Sequence, residues 1–336
     1  MSQTRLTSLV GCALPLQQAG MGWIAGPDLA AAVSGAGGLG MLAMPMVPAP
    51  VLGEMLSTVS ARTGNPFGVT FLIPFLDIDC VRVAARQARV VEFFYGDPEP
   101  ELVRLAHEGG ALVSWQIGSL AEACSAVQAG CDLLVAQGTE AGGHVRGELP
   151  WLPLLKQVRE ALPSVPLLSA GGIGTAEHVR ARLSAGADGV RVGTRFVATS
   201  EADTHPRYAD ALIDARGEDT LISTTFSTMW PDAPHRALVS SIARAQALSA
   251  EVVGEVTIAG TTRPIPRLAP IAPTRTTIGE INGMSLYAGM GVDAVHCVQS
   301  AADVVWELTL EVTELIGREV VATLRGASDS ADGNRP

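Results

Sequence analysis

Lysine is almost missing from this chain: Lys156 is the only one in 336 residues. It falls in a stretch that reads as a helix, so Schiff-base chemistry at a strand end is excluded. Aromatic residues make up 4%, which leaves an aliphatic core of Ala, Val, Leu and Gly. The five cysteines (Cys12, Cys80, Cys124, Cys131, Cys297) form no C-x-x-C pair, so neither a zinc site nor a disulfide framework is indicated. No apolar run approaches the roughly 20 residues that span a bilayer. A basic segment followed by an apolar stretch is lacking at the N-terminus. Positive charge is short as well. The net charge of -11 argues against nucleic acid or an anionic membrane surface as partner. These absences predict a soluble, cytoplasmic protein.

What is present is 47% hydrophobic residues against 17% charged, enough for a large core and too apolar for disorder. One α/β barrel of roughly 250 residues plus an appendage is the economical organisation. Short apolar runs end at Gln18, Ala43, Leu72, Phe94, Trp115, Gln137, Ala170 and Val192, and helical segments separate them. The runs do not alternate with polar residues, as expected of strands buried on both faces of a parallel sheet. Strand–helix pairs recur about every 25 residues and number about eight, which predicts an α/β fold, a (β/α)8 TIM barrel, over residues 1–216. A doubly wound open sheet is the alternative. Beyond Arg216 the alternation stops. Prolines accumulate, one helical piece lies near Ala237–Leu248, and a terminal helix is expected over Glu307–Leu324. Residues 217–327 therefore read as a cap over the barrel mouth with a C-terminal helix, and 328–336 as a frayed polar tail.

The chemistry concentrates where the strand ending at Gln137 breaks into glycines: Val135-Ala-Gln-Gly-Thr-Glu-Ala-Gly-Gly-His-Val-Arg-Gly147. A buried strand opening into such a loop presents polar groups at the barrel mouth. Glycines there let backbone approach a flat ligand. His144 stands out of six histidines because of this loop, the flanking glycines and the nearby Glu140. An imidazole there can take a proton or stabilise a developing anion. Most loop histidines are merely hydrogen-bonded, and His235 in the cap is a weaker second candidate. The Gln137 amide offers a donor and an acceptor to a heteroaromatic ring edge, and Ala19-Gly20-Met21 can lay backbone against that ring. Met21 and Trp23 could equally plug the barrel. Ser169-Ala-Gly-Gly-Ile-Gly-Thr175 follows the seventh strand and Arg191-Val-Gly-Thr-Arg195 the eighth. Barrels commonly hold a phosphate between these two loops, which makes Gly171, Gly172, Gly193 and Thr194 a phosphate cradle.

Taken together, these segments resemble the nitronate monooxygenase family over roughly residues 10–240. The resemblance rests on Gln17-Gln-Ala-Gly-Met21, Leu29-Ala-Ala-Ala-Val-Ser-Gly-Ala-Gly-Gly-Leu-Gly40, Ala170-Gly-Gly-Ile173, Val192-Gly-Thr-Arg-Phe196 and above all Gln137-Gly-Thr-Glu-Ala-Gly-Gly-His144. It implies an FMN-containing barrel that oxidises alkyl nitronates with dioxygen to a carbonyl compound and nitrite. Gln137 and Gly142 would flank the flavin, the cradle would hold its phosphate, and His144 would be catalytic. Two positions depart from the family pattern. Thr70 stands where an Asn usually contacts the flavin, and Met290 follows Tyr287-Ala-Gly289 where Gln or Glu is usual. Relatives with the same loop include NAD(P)H-dependent enoyl-ACP and quinone reductases, which form the alternative function. A flavin-free phosphosugar isomerase or lyase and a non-catalytic flavin carrier are weaker readings. The oligomeric state stays open, a homodimer included.

Overall fold

The computed structural model describes residues 3–258 and 260–316. Eight short parallel strands form its centre: β1 (Leu16–Gln18), β2 (Gly40–Leu42), β3 (Phe67–Leu72), β4 (Val90–Phe94), β5 (Leu112–Ile117), β6 (Leu133–Gln137), and then, past a two-residue β7 (Gly143–His144), β8 (Leu167–Ala170) and β9 (Gly189–Val192). They are ordered β1-β9-β8-β6-β5-β4-β3-β2. The ring closes between β1 and β2, where Gln17 bridges Leu39 and Leu39 N donates to Leu16 O at 2.8 Å. The expected (β/α)8 barrel is therefore the fold, closed rather than doubly wound.

Helix α1 (Arg5–Val10) lies under the barrel. There Leu6 packs with Leu39, Val90, Leu133 and Leu168 and seals the N-terminal ends of the strands. The outer helices are α2 (Pro27–Gly35), α3 (Ala49–Arg62), α4 (Ile78–Gln87), α5 (Pro100–Glu108), α6 (Leu120–Ala129), α7 (Trp151–Ala161) and α8 (Ala176–Ser184). Their starts follow local chemistry. Pro27 takes the first helical position of α2, where its missing N–H leaves no bond unmade. Thr175 caps α8 by accepting from His178 N at 3.3 Å.

After β9 come the one-turn α9 (Thr194–Val197), α10 (Pro206–Ile213), β10 (Thr220–Ser223), β11 (His235–Leu238), α11 (Val239–Ala247), β12 (Val252–Ile258), β13 (Thr261–Pro266), β14 (Ile278–Gly279) and α12 (Ala301–Ile316). The start of the helical piece expected from Ala237 is strand instead. β11 is drawn into a small sheet, β10-β11-β7, in which His235 pairs with His144 and Arg236 with Gly143. Helix α12 begins at Ala301, ahead of the expected Glu307, and packs against α8 and α2 through Val304, Val305, Leu308 and Val312. It thus stands between α8 and α2 in the helix ring, and the chain before it brings Met229, Trp230, Ile271, Tyr287 and Gly289 to the cavity. The expected helical residues 317–324 and the tail 328–336 fall outside the described residues.

Candidate active site

Inward-facing positions along a strand recur every second residue. In β4 they run Val90, Glu92, Phe94; in β5 Leu112, Ser114, Gln116; in β6 Leu133, Val135, Gln137. β5 and β6 thus turn from apolar to polar toward their C-terminal ends, and β4 carries its carboxylate in the middle. Above that polar layer lies a cavity of about 240 Å³. Ten of the residues singled out in the sequence line it: Gly20, Met21, Thr70, Gln137, Gly142, His144, Gly171, Gly172, Gly193 and Thr194; His235 and Glu140 do not.

His144 occupies β7, a two-residue strand held from above by β11. Its imidazole stacks on Trp230 with ring centres 4.0 Å apart, and Tyr95 (5.8 Å), Tyr287 (5.5 Å) and His235 (5.4 Å) stand around it. Burial, with His235 nearby, pushes its pKa down to about 3, so the ring is neutral at ordinary pH. Its Nε2 is buried and has no hydrogen-bond partner among the described residues.

His235, the weaker candidate, is fully buried and both its ring nitrogens are engaged. Phe226 N donates to its Nε2 at 3.2 Å, which leaves Nδ1 as the proton-bearing nitrogen, 3.0 Å from Ala233 O. A backbone N–H can only donate, so the tautomer follows from the network. His235 supports His144 and has no free nitrogen to offer a substrate.

Glu140, near His144 in sequence, turns away from it. Its carboxylate caps α7, accepting from Trp151 N at 3.0 Å, where the helix N-terminus favours negative charge. Gly143, with φ of 74°, makes the turn that separates them.

Gln137 Nε2 donates to His144 O at 2.9 Å, which ties the strand end to the loop. Its Oε1 is buried with no partner among the described residues. An acceptor left over at a cavity wall is what a ring N–H of a bound group would satisfy. Thr70 Oγ1 donates to Glu92 Oε1 at 3.0 Å, so its hydroxyl proton is engaged below the cavity. Gly20 is packed so closely on Thr70 that a Cβ there would overlap the threonine side chain. Met21 and Trp23 both border the cavity, and Trp23 also packs into the core between barrel and helices.

On the opposite wall, Gly171 (φ 108°) and Gly172 (φ 66°) adopt the left-handed conformation that other residues resist. A Cβ at Gly193 would stand 3.5 Å from Ala19 Cβ and 3.8 Å from Met21 Sδ, narrowing the cradle. Arg182 braces this wall. Its Nη2 donates to Gly171 O at 3.0 Å and its guanidinium lies over the Trp151 ring at 3.7 Å. Burial lowers its pKa to about 10, with Glu140 opposing, so it stays charged.

The cap contributes more than a cover. Gly289 N donates to Thr194 Oγ1 at 3.0 Å and Met290 N to Glu140 O at 2.9 Å. A Cβ at Gly291 would come within 3.0 Å of Gly172 C, and one at Gly142 within 2.6 Å of Ala288 C. Backbone thus meets backbone where the cap seats on the cradle. Arg236 clamps the glycine-rich loop, donating to Thr139 O from Nε (3.0 Å) and Nη2 (2.8 Å). Sequence reading missed Tyr95, Arg182, Arg236 and the part Tyr287 plays in the wall. None of them carries a local sequence signal; Tyr95 stands out only in the structure, by a non-glycine φ of 66° at a strand end. Burial holds the Tyr287 phenol well above its ordinary value, so it is a neutral donor. Among the described residues no group of acidic, histidine or cysteine side chains is arranged to hold a metal, and no helix is long and apolar enough to cross a membrane.

The nitronate monooxygenase family model matches residues 3–80 and 77–311. A (3aS,4S,5R,7aS)-5-hydroxy-7a-methyl-1-oxo-octahydro-1H-indene-4-carboxyl-CoA dehydrogenase of Mycobacterium tuberculosis is 34% identical over 239 residues, 70% of this chain and 66% of that one. Among solved structures, FabK from Thermotoga maritima superposes with a TM-score of 0.78 at 28% identity, over 97% of this chain and 100% of its own. Nitroalkane oxidase from Streptomyces ansochromogenes gives 0.75 at 29%, over 96% and 99%. The glycine cradle, the orphaned Gln137 acceptor and the neutral imidazole on one cavity fit a flavin. The chain belongs to the nitronate monooxygenase family, a family of flavin-dependent oxidoreductases on the (β/α)8 barrel.

Proposed function

We propose that the protein uses FMN to oxidise alkyl nitronates with dioxygen, yielding a carbonyl compound and nitrite. The observation that carries this reading is the state of His144: neutral, enclosed by aromatic rings, with a buried, unpartnered Nε2 at the wall of the cavity. A nitronate is already the conjugate base of its carbon acid, so it needs an anion holder more than a base. A neutral imidazole N–H donates to a nitronate oxygen without the cost of charging a buried ring. With a pKa of about 3 the ring accepts a proton poorly, which favours anion stabilisation over general base catalysis. Tyr287, kept protonated, offers a second donor on the same wall. Gly171, Gly172, Gly193 and Thr194 would hold the FMN phosphate, and Gln137 Oε1 would accept from the ring edge. Bound there, FMN would take the electrons from the substrate and pass them to dioxygen, with the aromatic enclosure keeping water from the anion.

A reductase of acyl thioesters or other carbonyl compounds, driven by NAD(P)H, is the second reading. It is favoured by the dehydrogenase relative and by an apolar wall of Met44, Met46, Phe71, Phe75, Met229 and Ile271, wide for a small nitronate. Anaerobic mixing separates the two. Bleaching of the flavin by a nitronate, with NADH and NADPH slow, is expected. Fast bleaching by a reduced nicotinamide, with no response to nitronates, would overturn the first reading in favour of the second.

A further inference from the structure

An ion pair lies in the floor of the cavity, where barrel interiors usually carry branched apolar side chains. Arg191 on β9 and Glu92 on β4 meet across the barrel, Nη1 2.6 Å from Oε1, with 6% and 0% of their side chains exposed. Glu92 is fixed from three further sides. Gln17 Nε2 donates to Oε2 at 3.1 Å, Ser114 Oγ to Oε2 at 3.2 Å, and Thr70 Oγ1 to Oε1 at 3.0 Å. Arg191 is held less firmly: Nη1 is close to the carboxylate but outside hydrogen-bond geometry. Arg191 borders the cavity, whereas Glu92 does not. The cation therefore faces the ligand space and the anion lies behind it.

Burial of such a pair opposes folding unless its geometry is excellent, and packed apolar residues often serve stability better. The gain is to be sought in the ligand. Reducing a flavin by two electrons loads its ring with negative charge, and in a dry site a fixed cation counts for much more than in water. We propose that Arg191 and Glu92 together set the reduction potential of the flavin bound in this cavity, Arg191 raising it and Glu92 restraining it. The proposal rests on the flavin reading above and adds that the polar floor is tuning machinery. Glu92 acts through Arg191 as a positioning residue, and Gln17, Ser114 and Thr70 act through Glu92.

The test is the midpoint potential of bound FMN, measured anaerobically against a reference dye. It compares the wild type with Glu92→Gln, Arg191→Met, the double variant and Arg191→Lys. Glu92→Gln should raise the potential and Arg191→Met lower it, each by at least a tenfold change in the reduction equilibrium, about 30 mV for a two-electron couple. The double variant should fall between the single ones, and Arg191→Lys should stay near wild type. Should a single variant leave a lone buried charge and fail to fold, the double and lysine variants still decide, since only the double should shift downward. Flavin bound in every folded variant at an unchanged potential, or both single variants shifting the same way, would overturn the tuning role alone. Wild-type protein that stays colourless with FMN would overturn the flavin reading, and this proposal with it.

Discussion

The two ends of the barrel interior are built by the same strands with the same two-residue alternation, yet they share no chemistry. At the N-terminal end Leu39, Val90, Leu133 and Leu168 close on Leu6, each fully buried. At the other end Gln17, Thr70, Glu92, Ser114, Gln137 and Arg191 fill equivalent inward positions with amides, hydroxyls and charges. Within β6 the change takes four residues, from Leu133 to Gln137. The apolar end stabilises the fold through burial. The polar end opposes it and holds the site. Stability and chemistry are thus divided along the barrel axis.

Substitutions can break this division or sharpen it. The largest effect is expected from His144→Asn, which should keep bound flavin while nitronate turnover falls on the order of 100-fold or more. Turnover close to wild type would remove His144 from the reaction. Next, Leu133→Ala at the apolar end should destabilise by about 2–5 kcal/mol, read from denaturant midpoints, with kcat/KM of the folded enzyme unchanged. A loss of activity without loss of stability would show that the two ends are coupled. Smaller again, Arg182→Met releases Gly171 O and should weaken FMN binding by about tenfold, in line with one lost hydrogen bond to a charged group. Arg182→Lys should restore part of it, and equal affinity in all three forms would confine Arg182 to packing.

A separate effect concerns pH. His144 titrates at about 3 in the folded chain against 6.5 ordinarily, so below 6.5 the unfolded chain binds the proton and the folded one resists it. The stability this neutral ring contributes is full above 6.5 and declines as pH falls from there toward 3. Buried His235, also lowered, adds to the same slope. His144→Asn should flatten the acid limb of stability against pH, and an unchanged limb would show that the ring is charged or solvated in the native state.

Much of the barrel was legible because its strands are short, mostly apolar runs separated by helical segments, a local pattern. That Gly171, Gly172 and Gly193 line the cavity was legible for a related reason: glycines directly after two consecutive barrel strands sit at the mouth. Glu140 misled, since four residues along the chain did not mean proximity. The turn at Gly143 sends the carboxylate to the N-terminus of α7 and the imidazole to the cavity. The segment at Ala237 was read as helix because nothing local says that His235 and Arg236 will pair with a loop far earlier in the chain. Arg182, inside a regular helix, gave no signal at all. Its role depends on Trp151 and Gly171, which only the closed ring brings beneath it.

Periodicity, glycine placement and the run from Gln137 to His144 determined by themselves that this chain makes a barrel with glycines and an imidazole lining the cavity at its mouth. Tertiary structure decided the state of that imidazole. Trp230, His235 and Tyr287 reach it from the cap, exclude water and keep it neutral. It also decided that Glu92 and Arg191 meet. Both outcomes depend on ring closure, and closure is set by the summed register of eight strands, a quantity that no single stretch of sequence contains.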